Sequence, residues 1–288
     1  MVKAVRDVSS PWRQSRDRRL LALNAALRPK SLTVVDNPLY HIGMMILLAG
    51  QVVMRLMTGR CERRNIMDFL ICAGPCSIFP VLMTNLFAGM IFTIQSAREM
   101  DQYGLVNHVG GTFAVAYCRE LAPILTAAVL ACQVGSAFAA EIASMKLTEQ
   151  IDALKVLRTD PIDYLVVPRV LACSVMLPIL TIVGMFVGIG GGVMIANYFY
   201  QVTPLAFLDG VHTSLVVTDV LTVFAKAMLF GGAIAVASCS RGLTASCHGK
   251  GVGQSATSAV VTTWVMLFVL DFLITVALLA QEGAHHMA

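Results

Sequence analysis

Five charged residues stand where the chain is otherwise apolar. Arg119 and Glu120 lie in one long run, Asp219 and Lys226 in a later one, and Asp271 in the last. A charge near the bilayer centre costs ~2.5–3.5 kcal/mol on insertion scales. Such groups face a bundle interior or a wet cavity, where they pair, line a pathway for a polar headgroup or relay protons. Arg119 and Glu120 are sequence neighbours, so on an α-helix they point about 100° apart and cannot pair on one face. Pro123 follows and leaves a backbone carbonyl near residue 119 without its helical donor. Two readings fit: a boundary position with both side chains snorkelling to the headgroups, or the polar lining of a headgroup pathway. Asp219 and Lys226 are seven apart, hence on one face two turns apart. With Asp271 they read as a structural network between the last two runs. A proton relay has no histidine to support it: His41, His108, His212, His248, His285 and His286 all fall outside the run interiors.

Other motifs fail on spacing. "GLTASCHGKG" looks like a phosphate loop, but that loop needs G-x4-G-K-[ST]. Here Gly242 precedes Gly249 by seven positions, and Gly251 follows Lys250 where a hydroxyl belongs. "GIGGGV" ends in Val193 where a dinucleotide fingerprint needs a small residue, and it lies inside an apolar run. The chain is therefore expected not to hydrolyse ATP by itself. Ser136 in "QVGSAF" lacks the base that a serine nucleophile requires. The eight cysteines form no C-x-x-C pair and read as small buried hydrophobes, not a zinc or disulfide framework.

The elements that carry these residues follow from composition. The chain is 57% hydrophobic and 13% charged, with a mean hydropathy of +0.75. A soluble domain carries about a quarter charged residues, so the balance is that of a membrane protein. The apolar runs are long and do not alternate, which predicts helices rather than barrel strands. Five spans are expected, over 70–96, 109–140, 163–197, 218–239 and 256–280. Residues 38–57 are apolar but hold His41, Gln51 and Arg55, and read as a helix lying in the interface. The division into domains is a basic arm with that helix (1–64) and one membrane unit (65–288). The first long apolar run comes too late for a cleavable signal peptide. The Arg-rich start is either a trimmed targeting remnant or an arm on anionic headgroups; it does not call for nucleic acid.

Twelve of the 21 Lys and Arg precede residue 65. Lys146, Lys155, Arg158, Arg169, Arg241 and Lys250 lie in or beside two further loops, while the 198–217 loop has none. These three basic regions share the cytoplasmic or stromal side, and the C-terminus lies opposite. Gly184, Gly188 and Gly192 form a small-xxx-small ladder that permits close helix packing.

Residues 141–172, "EIASMKLTEQIDALKVLRTDPIDYLVVPRVLA", interrupt the greasy pattern. Leu147, Ile151, Leu154 and Leu157 make an apolar stripe on a short helix. Asp160-Pro161 ends it, with Asp160 expected to cap the third span. The helix is either a connector resting on headgroups or a docking helix for a cytoplasmic partner.

The stretch "RELAPILTAAVLACQVGSAFAAEIASMKLTEQIDALKVLRTDPIDYLVVPRVLA", together with "GLTASCHGKGVGQSATSAVVTTWVMLFVLDFLIT" and "NLFAGMIFTIQ", resembles the MlaE/YrbE family of ABC-type lipid-transport permeases. The likeness covers about residues 65–280, and "RTDPIDYLVVPRVLA" is most similar to cyanobacterial and plastid members. It implies an all-α membrane protein: an interfacial helix, five spans, and a cytoplasmic coupling helix between spans two and three. It implies a homodimer that moves phospholipid or a related lipid, an MCE-domain substrate-binding protein on the opposite face, and a separate ATPase that binds ATP and Mg. Residence in a bacterial inner membrane or plastid inner envelope follows from the same likeness. Glu149, Gln150, Asp152 and Leu154 then become the expected ATPase contacts. Phe92, Gln95, Met100, Tyr103, Arg119 and Glu120 match positions around a lipid cavity. One departure stands out: Cys132 and Gln133 replace the usual Gly-Arg before "VGSA". Two other classes remain open, an ATP-independent channel or secondary transporter and a scaffold for other subunits. The scarcity of buried carboxylates and histidines argues against ion coupling.

Overall fold

The computed structural model describes residues 38–57, 63–105, 108–245 and 251–286. The basic arm over 1–37, most of the charged elbow "GRCERRN" and the middle of the phosphate-loop lookalike lie outside the described residues. Every regular element among the described residues is helical. Helix α1 is Pro38–Met57, α2 Arg63–Ala73 and α3 Pro75–Gln102. Helix α4 runs over Val109–Leu147, and α5 is the short Gln150–Val156. Helix α6 runs over Ile162–Tyr200. Helices α7 (Pro204–Ser214), α8 (Val217–Thr244) and α9 (Gly251–His286) complete the chain.

Among the described residues, five helical stretches are long and apolar enough to cross a membrane: Ile66–Gln102 (α2 with α3), Val109–Leu147, Ile162–Tyr200, Val217–Thr244 and Gly251–Ala280. They are the five expected spans, each extended by a few residues beyond its apolar run. Hydropathy marks only the part that meets hydrocarbon, whereas backbone hydrogen bonding continues into the interface. The chain falls into two compact units, Met1–Met44 and Met45–Ala288. In the second unit, Leu48 and Val52 of α1 are buried in the main hydrophobic core. Their i, i+4 spacing puts one apolar stripe on the protein.

Two segments of α4, Ala114–Leu121 and Ala131–Gly135, are π-helical. In the first, the N–H of Ala122 reaches back five residues to the carbonyl of Tyr117. Pro123, which has no N–H to give, falls just where the π register returns to α. Widened turns of this kind are frequent at functional sites, and this one carries Arg119 and Glu120.

The glycine ladder packs α6 against α3 and α4. A Cβ on Gly188 would collide with the Tyr117 hydroxyl, and one on Gly192 would lie 2.7 Å from Thr93 Oγ1. Tyr117 can thus donate to the carbonyl and side-chain oxygens of Asn85, at 3.0 and 3.1 Å. The 198–217 stretch, expected as a plain loop, contains α7. Thr203 caps it, Pro204 opens it, and Phe207 is fully buried against Phe113, 5.4 Å between ring centroids. Eleven residues are too short to stand out from a hydropathy profile. Cys118, Cys173 and Cys239 are buried as expected; Cys76 and Cys132 are exposed.

Candidate functional site: a charge cluster between three spans

Helices α4 and α8, the second and fourth spans, both present charges at the same level. Arg119 meets Asp219 at 2.8 Å. Two turns further along α8, Lys226 meets Glu120 at 2.7 Å and Asp271 of α9 at 3.2 Å. Lys226 also donates to Thr275 Oγ1 at 3.0 Å, and the Thr275 hydroxyl lies 3.2 Å from Glu120. An ammonium has three donors, and all three are used. The Lys226 side chain is 3% exposed. Burial at that depth is tolerated only because the charge is paired and its protons are satisfied.

Asp219 serves twice. Its carboxylate takes Arg119 and also accepts the backbone N–H of Val216 at 2.9 Å. It sits in the first turn of α8, where the helix dipole favours a negative group. The Arg119–Glu120 pair and the polar network expected from sequence are therefore one site. Arg119 and Glu120 do not pair with each other, as their spacing required; each takes a partner on α8. The expectation of a network between spans four and five is corrected: the second span supplies two of its five charges, Arg119 and Glu120.

A cleft of about 130 Å³ opens on this cluster, lined by Arg119, Glu120, Thr222, Lys226, Thr275 and Leu279 among others. Roughly 300–1,000 Å³ is usual for a pocket that encloses a whole ligand. This one admits a small polar group, with any attached chain lying outside. Phe92, Gln95, Met100 and Tyr103 do not line it. Phe92 packs toward Phe113 and Tyr117, on another side of α4. Met100 packs against the hydrophobic core around Phe113 and Tyr117, while Gln95 and Tyr103 are exposed.

The second candidate region surrounds α5. Glu149, Gln150 and Asp152 are exposed, and Glu149 holds a left-handed backbone at φ 58. Asp152 pairs with Lys155 at 2.6 Å. Ile151 and Leu154 turn inward against the core. Leu154 is partly buried and anchors the helix, and Val156 and Leu157 are the exposed apolar residues at its end. Leu157 leaves the stripe because the helix stops at Val156 and Arg158 turns left-handed at φ 59. Asp160 does not cap α6 through its side chain. Its carboxylate instead meets Arg55 of α1 at 2.8 Å, beside Asp163 at 2.6 Å. Burial pulls the Arg55 pKa down, but the hydrogen bonds and charges of Asp163 and Asp160 outweigh it and the net shift is upward.

Several residues here were not singled out from sequence. Lys146 donates to the carbonyls of Leu243 and Ala245 at the end of α8, at 2.8 and 2.7 Å. Arg169, counted among the loop charges, is fully buried and paired with Glu141 at 2.7 Å. Thr275 could have been found: it lies one helical turn after Asp271, on the same face.

The sequence matches the family described as Permease MlaE over residues 67–277. The chain belongs to the MlaE permease family. The MlaE match runs from α2 into α9 and contains every charge of the cluster and all of α5. A probable ABC transporter permease protein of Synechocystis sp. is 49% identical over 228 residues, 79% of this chain and 87% of the relative. The Arabidopsis thaliana protein TRIGALACTOSYLDIACYLGLYCEROL 1, chloroplastic, is 42% identical over 229 residues. That match takes 80% of this chain and spans 65% of the relative's length. A probable ABC transporter permease protein of Pyropia yezoensis is 38% identical over 239 residues, 83% of this chain and 91% of the relative. This MlaE permease is thus an integral membrane protein of the ABC transporter type, with relatives in bacteria and chloroplasts.

Proposed function

We propose that this permease moves phospholipid or a related lipid between membranes, driven by a separate ATPase. Two copies form the transport unit. The ATPase pair holds ATP and Mg and docks on the exposed side of α5, at Glu149, Gln150 and Asp152. An MCE-domain protein sits on the opposite face. The membrane is a bacterial inner membrane or a plastid inner envelope. The observation that carries the reading is the Lys226-centred cluster opening on a headgroup-sized cleft beside apolar Leu278 and Leu279. A lipid has the matching construction: a charged head on apolar chains. The chloroplast relative bears the name of a galactolipid, which supports lipid as the substrate class.

Native mass spectrometry of the tagged protein, gently extracted from its own membrane, tests this directly. A dimer carrying an ATPase pair, an MCE subunit and bound phospholipid is expected. Glu120→Ala is expected to lower the lipid occupancy of that complex. A lone permease without lipid or ATPase under every mild condition would favour a channel or a scaffold.

A further inference from the structure

Helix α5 hangs from two legs, the end of α4 and the start of α6. Between them lies a buried guanidinium. Arg169 is fully buried. It meets Glu141 of α4 at 2.7 Å and donates to the Leu165 carbonyl of its own helix at 2.9 Å. Its central carbon lies over two rings, 4.5 Å from the centroid of Phe69 of α2 and 5.2 Å from that of Phe138 of α4. Three helices therefore converge on one cation. Glu141 is the acid paired with that cation, yet its side chain is 52% exposed. Glu141 stands nine positions before Gln150, and Arg169 thirteen after Val156. The legs can separate only by breaking this pair and stranding a cation in apolar surroundings, which is strongly unfavourable.

We infer that Glu141 and Arg169 are positioning residues that tie the two legs of α5 into one lever, so that a push on α5 moves α4 and α6 together. The inference rests on the reading of α5 as the ATPase docking helix. Neighbouring bonds carry the motion onward. Lys146, on the first leg, holds the C-terminal carbonyls of α8. Arg55 holds the second leg through Asp160 and Asp163. Helices α4 and α8 then meet again at Arg119–Asp219 and Glu120–Lys226. Without the tie, α5 can follow the ATPase while its legs splay, and hydrolysis proceeds with little movement at the cluster.

The test uses the whole complex in vesicles of phosphatidylglycerol and phosphatidylethanolamine with a fluorescent phospholipid. The quantity read is labelled lipid moved per ATP hydrolysed. Glu141→Gln should assemble and hydrolyse ATP, with that ratio down about tenfold, within the usual range of coupling between sites. Glu141→Asp should regain most of it. The double variant Glu141→Leu with Arg169→Met removes both charges, which is commonly neutral for folding. It should assemble and remain uncoupled. A wild-type ratio in Glu141→Gln or in the double variant overturns the inference. So does loss of assembly in the double variant, which would make the pair a folding contact only. A wild-type complex that binds no ATPase or moves no lipid sinks the functional reading instead, before any variant is compared.

Discussion

Lys226 is the residue whose loss has the plainest consequence. Lys226→Ala leaves Glu120 and Asp271 facing each other with no cation between them. Breaking a buried ion pair by removing one partner costs roughly 3–5 kcal/mol. Glu120 is 39% exposed, so solvent screens part of this and the lower end applies. The expected result is a clear drop in the thermal melting point of the detergent-solubilised protein. An unchanged melting point would show that the cluster contributes nothing to the fold. The charges themselves were legible in the sequence, since an ion inside an apolar run is conspicuous. Their partnership was not. Helical periodicity says which residues of one helix share a face, but not which helix stands opposite. Asp219 and Lys226 could be placed on one stripe of α8; that the stripe looks at Arg119 and Glu120 needed the packing. Asp160 misled for the reverse reason: an Asp before Pro favours a cap, and Arg55, 105 positions earlier, competes for it.

At the scale of elements, α5 and the glycine ladder make separate predictions. Reversing charge in Asp152→Lys alters an exposed side chain that pairs with Lys155 on its own helix. The permease should fold normally, while stimulation of the ATPase and lipid movement are lost. Normal ATPase association and transport in that variant would remove α5 from the docking role. Gly188→Leu places a branched side chain where the Tyr117 hydroxyl already lies. Overpacking of this kind costs typically ~1–3 kcal/mol or more. Yield and melting point should both fall, whereas Gly190→Ala, at a position with open space beside it, should do neither. The five spans were legible because length and apolarity are all a bilayer asks of a helix. The π segments of α4 were not, because widening a turn by one residue leaves no mark on composition. Pro123 was a hint, noted as a missing donor but not as the end of a π register. Helix α7 escaped because its buried face rests on Phe207 and little else among large residues.

For the molecule as a whole, an odd number of spans puts the two ends of the membrane unit on opposite sides. The basic N-terminal region and the α5 and 240–255 regions share one side by charge. Introducing Cys at Asp152 and at Leu205 of α7 should give labelling by an impermeant reagent from opposite faces of sealed vesicles. Labelling from the same face would reverse the assignment of α7. Helix α9 leaves Val265, Phe272 and Leu279 uncovered. In a bilayer that surface needs no special partner, since lipid tails are as apolar as leucine. The saturation of Lys226 has a thermodynamic consequence for any molecule that comes to it. With every proton of its ammonium already given to Glu120, Asp271 or Thr275, an arriving oxygen can be received only by exchange with one of them. Its gain is a difference between two similar bonds, so the well it falls into is shallow. A carrier benefits from that shallowness, because a cargo held by substitution leaves as readily as it enters.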